Sequence, residues 1–96
     1  VSAPTAPAPA LDSTGVAVLL AYEGIRSPKP AEGIPGIKCL PTTVLGLVRV
    51  VPSGYASPTE AYLDLGTAAA ILVAAGLSVR VGTDATLLVH RKGPRP

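Results

Sequence analysis

Phenylalanine, tryptophan and methionine are absent from this chain, and tyrosine occurs only three times among its 96 residues. A core without large rings has to be filled by Val, Leu, Ile and Ala, which bury less area per residue. The single cysteine, Cys39, excludes an internal disulfide and any multi-cysteine metal cluster. It reads as a small, half-buried apolar residue rather than a reactive thiol. The single histidine, His90, would have to meet a nucleophile and an orienting third group to act as a base. Strand alternation sets it opposite Val89, beside the basic C-terminus, as a surface residue. No phosphate-cradling glycine loop of either common spelling occurs.

Long apolar runs are also missing. Residues 65–79 are broken by Gly66, Thr67, Gly76 and Ser78, and the run is shorter than the roughly 20 residues that a bilayer demands. The N-terminus has neither the basic nor the apolar segment of a secretory signal, which leads us to expect a cytoplasmic or virion-associated protein. A start at Val1 without any methionine fits removal of an initiator or cleavage from a longer precursor.

What is present is apolar, proline-rich and unevenly charged. Apolar residues make up 48% of the chain, and 11 prolines and 10 glycines punctuate it. The net charge is +2, but Arg91, Lys92 and Arg95 crowd the C-terminal end, leaving five basic residues against six acidic ones elsewhere. Attraction for anions is therefore expected from the tail.

Residues 1–14 (VSAPTAPAPALDST) form an Ala/Pro-rich arm in which Pro4, Pro7 and Pro9 favour an extended path. Residues 15–91 then read as one α+β domain. Residues 15–22 (GVAVLLAY) are expected to be a buried strand, since they are short, apolar and led by a β-branched pair around Ala17. Residues 23–41 carry four prolines and three glycines and read as a long irregular loop, a kind of segment that often makes contacts. Within it, Gly33-Ile34-Pro35-Gly36 shares the spelling of the GXXG loop of KH domains. That loop joins two helices, whereas Pro41 and the β-branched run after it point to a strand, so these read as turn glycines. Ser27-Pro28-Lys29-Pro30 has the look of a docking motif, a pattern common in any proline-rich loop.

Residues 42–51 (TTVLGLVRVV) are apolar on both faces and read as a central strand. Val44, Val48 and Val50 fall on one side, and Leu45, Leu47, Arg49 and Val51 on the other. Gly46 suggests a bulge or a close backbone approach. Ser57-Pro58-Thr59-Glu60 spells a capping box with proline at the first helical position. The helix it opens runs through Ala75 to Gly76, with Tyr62, Leu65, Ala69, Leu72 and Ala75 as its stripe and an all-round apolar second half expected to be buried. Residues 77–81 and 86–91 flank the turn at residues 82–85 as a β-hairpin. The expected fold is a mostly antiparallel sheet of about four strands, ordered β-β-α-β-β along the chain, with one helix packed on it.

The helix-plus-hairpin order invites a winged-helix comparison, but a reading helix needs Arg, Lys, Asn or Gln, and this one offers only Glu60 and Asp64 as charges. Those two carboxylates are too few to hold a metal. No cofactor, metal or small-molecule substrate is expected, and the chain reads as non-enzymatic. A light aliphatic core between proline-rich extensions suits a subunit stabilised by neighbours. Phage decoration and head–tail components share that build, as an analogy of construction alone. Expected subunit contacts are Pro4, Pro7, Pro9 and Leu11 of the arm and Ile34, Pro35 and Ile37 of the loop. The alternative is a small nucleic-acid-associated module that holds phosphates weakly through Arg91, Lys92 and Arg95.

Overall fold

A computed structural model describes residues 11–91. The elements are α1 (Ser13–Tyr22), a 3-10 turn (Pro30–Glu32), β1 (Gly36–Pro41), β2 (Val48–Ser53), α2 (Pro58–Ala74), β3 (Leu77–Val81) and β4 (Leu87–Arg91). The four strands form one antiparallel sheet in the order β1-β2-β4-β3, so two hairpins meet along β2 and β4. Both helices lie on one face of it. The α+β class with four antiparallel strands is as expected; the helix count is two.

The first correction concerns residues 15–22, which are helical. Asp12, assigned from composition to the arm, is the N-cap of α1, and its Oδ1 accepts from the amide of Gly15 at 2.7 Å. At the other end Gly24 adopts φ +90°, its amide donates to the Ala21 carbonyl, and the amide of Ile25 donates to the Leu20 carbonyl. These two bonds are those of a Schellman stop, with Ile25 folding back on the core. Val16 and Leu20, one turn apart, are the buried residues of α1.

The second correction is inside the expected loop. Residues 36–41 are β1, the outer partner of β2, running from the Gly36–Ser53 pair to the Pro41–Val48 pair. The irregular part is thus shorter, and it is braced: Lys29 and Ile34 exchange backbone hydrogen bonds around the 3-10 turn. Gly33 closes that turn at φ +68°.

The third lies just after it. Residues 42–47, expected to begin the central strand, form a turn held by the Thr42 hydroxyl, which donates to the Leu47 carbonyl at 2.8 Å and accepts from the Val44 amide at 3.1 Å. Gly46 takes φ +83° in this turn, with open space where a Cβ would stand. β2 itself is central, with Val48 and Val50 buried and Arg49 exposed.

Helix α2 stands where expected, but it is seated differently. Ser57 makes no side-chain cap bond; its carbonyl accepts from the Ala61 amide, and Glu60 is exposed. The buried stripe is Ala61, Leu65, Ala68 and Leu72, while Tyr62 and Ala75 face solvent. Its second half is covered on one side only, because the sheet provides cover on one side only. The hairpin of β3 and β4 forms as expected, with Asp84 and Ala85 at positive φ in its turn.

The core is aliphatic. Val48, Val50, Leu87, Val89, Leu77 and Ile37 rise from the inner face of the sheet to meet Val16, Leu20, Leu65, Ala68 and Leu72.

Candidate functional site

Period-two alternation in the strands decides which side chains enter this core and which leave it. Ile37, Val48, Val50, Leu87 and Val89 point inward, so Lys38, Leu40, Arg49, Val51, Leu88 and His90 point to the opposite face. Ser78 and Arg80 of β3 join them, opposite His90 and Leu88. The pairing register aligns Leu40, Arg49, Leu88 and Arg80 in one row across all four strands. Among the described residues no helix packs on this outer face.

Its charge is of one sign. Lys38, Arg49 and Arg80 stand on this face; with Arg91, which is in register with the inward Val89 and Leu77 at the end of β4, they are the charged residues of the four strands, and no carboxylate occurs in any of them. Asp12, Glu23, Glu32, Glu60 and Asp64 all belong to the helices, the 3-10 turn or their flanks, and Asp84 to the β3–β4 turn. The ion pair found among the described residues, Arg26 with Asp64 at 3.8 Å, lies elsewhere. The outer cations therefore have no carboxylate partner among the described residues. A shallow recess of about 250 Å³ opens at the edge of this face between Arg49, Leu88, Thr86 and the turn carrying Asp84.

The helical layer is different in kind. Beyond the first turn of α2, which carries the exposed Glu60, residues 63, 66, 67, 70, 73 and 74 face solvent without a formal charge among them. Leu63 is 65% exposed and Val73 53%. A groove of about 390 Å³ lies between α1 and α2, lined by Leu19, Glu23, Thr67, Ala70, Ile71 and Ala74.

The nucleophile and base candidates stand apart. Cys39 is on the inner face of β1 and His90 on the outer face of β4, with the sheet between them. Burial pushes the Cys39 thiol up to about 11, so at neutral pH it is a protonated, weak nucleophile. The His90 Nδ1 lies 2.8 Å from the carbonyl of Arg91. Among the described residues no three metal-ligating side chains gather.

One polar cluster joins the 23–35 segment to the helical layer. The Tyr55 hydroxyl donates to Asp64 Oδ2 at 2.6 Å, and the Arg26 guanidinium approaches the same oxygen. Arg26 and Asp64 are both well exposed, so the ion pair itself contributes little. Burial first, then the hydrogen bond to Asp64 and its charge, push Tyr55 up to about 12.

Tyr55 and Cys39 thus hold their protons more tightly folded than unfolded, where they titrate near 10.0 and 9.0. Their contribution to stability is full below about pH 9 and drains away as pH rises through their folded values. Melting temperature is expected to fall steeply above about pH 9, and a Cys39→Ala/Tyr55→Phe variant should show a flatter profile. A wild-type melting temperature that stays level into this alkaline range would contradict the assignment.

Of the residues singled out from sequence, Leu11 packs partly buried on the core and Ile34 and Pro35 are half-buried in the braced turn. Ile37 is 4% exposed and its side chain belongs to the interior. Arg91 ends β4, exposed. Pro4, Pro7, Pro9, Lys92 and Arg95, with most of the arm and the tail, lie outside the described residues. Lys38, Arg49 and Arg80 were not assembled into a group from sequence, because only the pairing register places them on one face. Comparison with family models, curated proteins and solved structures finds no match for this chain.

Proposed function

We propose that this protein is a non-enzymatic structural subunit that works by associating with copies of itself, as the building block of a larger particle. The observation that carries the reading is the outer side of α2 beyond its first turn, free of formal charge, where Leu63 and Val73 stand open to solvent. Apolar surface of this kind gains free energy when covered, at about 25 cal/mol per Å². A core of Val, Leu and Ala leaves more to gain from a neighbour than a ring-filled one does.

The helix fits a second copy of itself. A twofold axis near Thr67 and Ala70 would set Leu63 against Ala74 and Thr67 against Ala70, the larger residue against alanine in each pair. A lipid surface is a poorer occupant. Interfacial helices carry Lys and Arg along their polar edge, whereas the charged neighbours here are Glu23, Glu60 and Asp64. The Ala/Pro arm, with Pro4, Pro7 and Pro9, is proposed to add contacts between subunits, as in the virion components that share this build.

Light scattering on the full chain after size exclusion tests the reading. Wild-type protein is expected as an oligomer, Ala70→Glu/Val73→Glu as a monomer with an unchanged circular dichroism spectrum, and a chain lacking residues 1–10 as a weaker oligomer. A wild-type monomer at every concentration sampled sinks the proposal.

A further inference from the structure

We infer that the outer face of the sheet is a binding surface for the phosphate backbone of double-stranded nucleic acid, independent of base sequence. This goes beyond the self-association reading and uses the opposite side of the molecule.

Charge complementarity carries the inference. Three exposed cations, Lys38, Arg49 and Arg80, stand on β1, β2 and β3 of one rigid sheet, with His90 and Ser78 paired between β4 and β3. Arg49 and Arg80 lie in one cross-strand row with Leu88 between them, about 9–10 Å apart at two strand spacings. All three lack a carboxylate partner among the described residues, and five of the six carboxylates sit on the helical side or its connections. The molecule is thus polarised, with its sheet face electropositive. Arg91 lies at the end of β4, and the sequence continues with Lys92 and Arg95.

The class of polyanion follows from what the face lacks and from which residues protrude. No Phe, Tyr or Trp occurs in any strand, and the one ring on the face is the half-buried imidazole of His90, so there is no run of rings on which the successive bases of a single strand could stack. A duplex presents its phosphates at twice the axial charge density of one strand and needs no stacking. The aliphatic residues of the face, Leu40, Val51 and Leu88, are half-buried while the cations are exposed, so the outermost layer is charge. An anionic membrane surface would instead be met by protruding apolar side chains. Lys and Arg that reach phosphates alone give affinity without base readout. Asp84, beside the Arg49 recess, is the one carboxylate bordering the face and opposes binding.

The test uses fluorescence anisotropy of the full chain with a mixed-sequence duplex, the matching single strand, and vesicles of mixed phosphatidylserine and phosphatidylcholine. Three phosphate contacts predict a slope of log affinity against log salt of about −2.7, a roughly fortyfold loss between about 50 and 200 mM. Lys38→Gln/Arg49→Gln/Arg80→Gln is expected to abolish that salt-dependent binding. Arg49→Lys/Arg80→Lys should retain it, and Asp84→Asn should tighten it severalfold. Circular dichroism of each variant separates loss of the face from loss of the fold. A chain lacking residues 92–96 should still bind the duplex. The inference is overturned if the duplex does not bind at low salt, if the triple variant binds as well as wild type, or if binding vanishes with residues 92–96 alone. Tighter binding to the single strand or to the vesicles than to the duplex overturns it as well. A monomeric wild type that binds the duplex would leave this inference standing while removing the self-association reading.

Discussion

Gly36→Ala is expected to be among the most damaging single methyl groups that can be added to this protein. Gly36 is buried at the start of β1, paired with Ser53, and the backbone of residues 26–28 crosses directly over it. The amide of Ile37 donates to the Arg26 carbonyl at 2.8 Å, which fixes that crossing. A Cβ on Gly36 would overlap the Pro28 nitrogen, the Ser27 carbonyl carbon and the Arg26 oxygen, all main-chain atoms that cannot rotate away. Relief would require the crossing segment to lift, breaking the Arg26–Ile37 bond and unseating the chain that Tyr55 and Asp64 brace. Overpacking in a core costs about 1–3 kcal/mol, and an overlap with backbone belongs at or beyond the top of that range.

A domain of this size holds only about 4–12 kcal/mol in total. A fall in melting temperature of at least roughly 12 °C is therefore expected, taking about 4 °C or more per kcal/mol. Gly76→Ala makes the control. Gly76 sits at φ +88° with open space where its Cβ would be, so only the left-handed conformation is penalised, by about 1–2 kcal/mol. Differential scanning calorimetry on the two variants separates steric from conformational cost. Equal or smaller destabilisation in Gly36→Ala than in Gly76→Ala would show that the crossing is not as close as described.

Leu72→Ala carries the second large effect. Leu72 is fully buried, on the side of α2 that faces the sheet, among Val50, Leu87, Val89 and the other aliphatic residues of the single core cluster. The buried members of the cluster are all aliphatic, and the ring packed against it, Tyr55, is tied by its hydroxyl to Asp64, so the cavity should persist. Loss of a buried leucine side chain costs about 2–5 kcal/mol, more where the site cannot collapse. Urea unfolding should therefore show a much lower midpoint with an unchanged slope. Val73→Ala, at the next position but half-exposed, should cost well under half as much in the monomer. A Leu72→Ala cost below about 1 kcal/mol would mean the helix is seated on a different stripe.

That stripe illustrates where local reading stops. Both Tyr62/Ala69/Ala75 and Ala61/Ala68 are apolar sets at helical spacing, and nearly every position of the second half of α2 is apolar. Periodicity carries no rotational preference in such a segment. The sheet chooses the rotation by contact, and the unchosen side is left as the exposed apolar surface on which the self-association proposal rests. Segment 13–22 has the same ambiguity in stronger form, since ten residues without a charge suit a buried strand or a buried helix equally well. Its ends were more legible than its middle. Asp12 before Ser13, and Gly24 followed by Ile25, are cap signals at a helix's length, obscured because the first was grouped by composition with the arm.

The chain's own residues determined the extent of α2, through Pro58 and Gly76, and the β3–β4 hairpin, through alternation and a glycine-led turn. They determined the aliphatic character of the core and the α+β class with an antiparallel sheet. These are local properties: a proline fixes its own φ, a glycine permits a turn, and alternation follows from the pleat. Only the tertiary structure decided that segment 13–22 coils, that residues 36–41 join the sheet, and that Gly36 lies under a crossing backbone. It also decided that Lys38, Arg49 and Arg80 share an open face. Each of these depends on contact with another segment of the chain, through strand register, helix packing or a backbone crossing, and no window of neighbouring side chains encodes that contact.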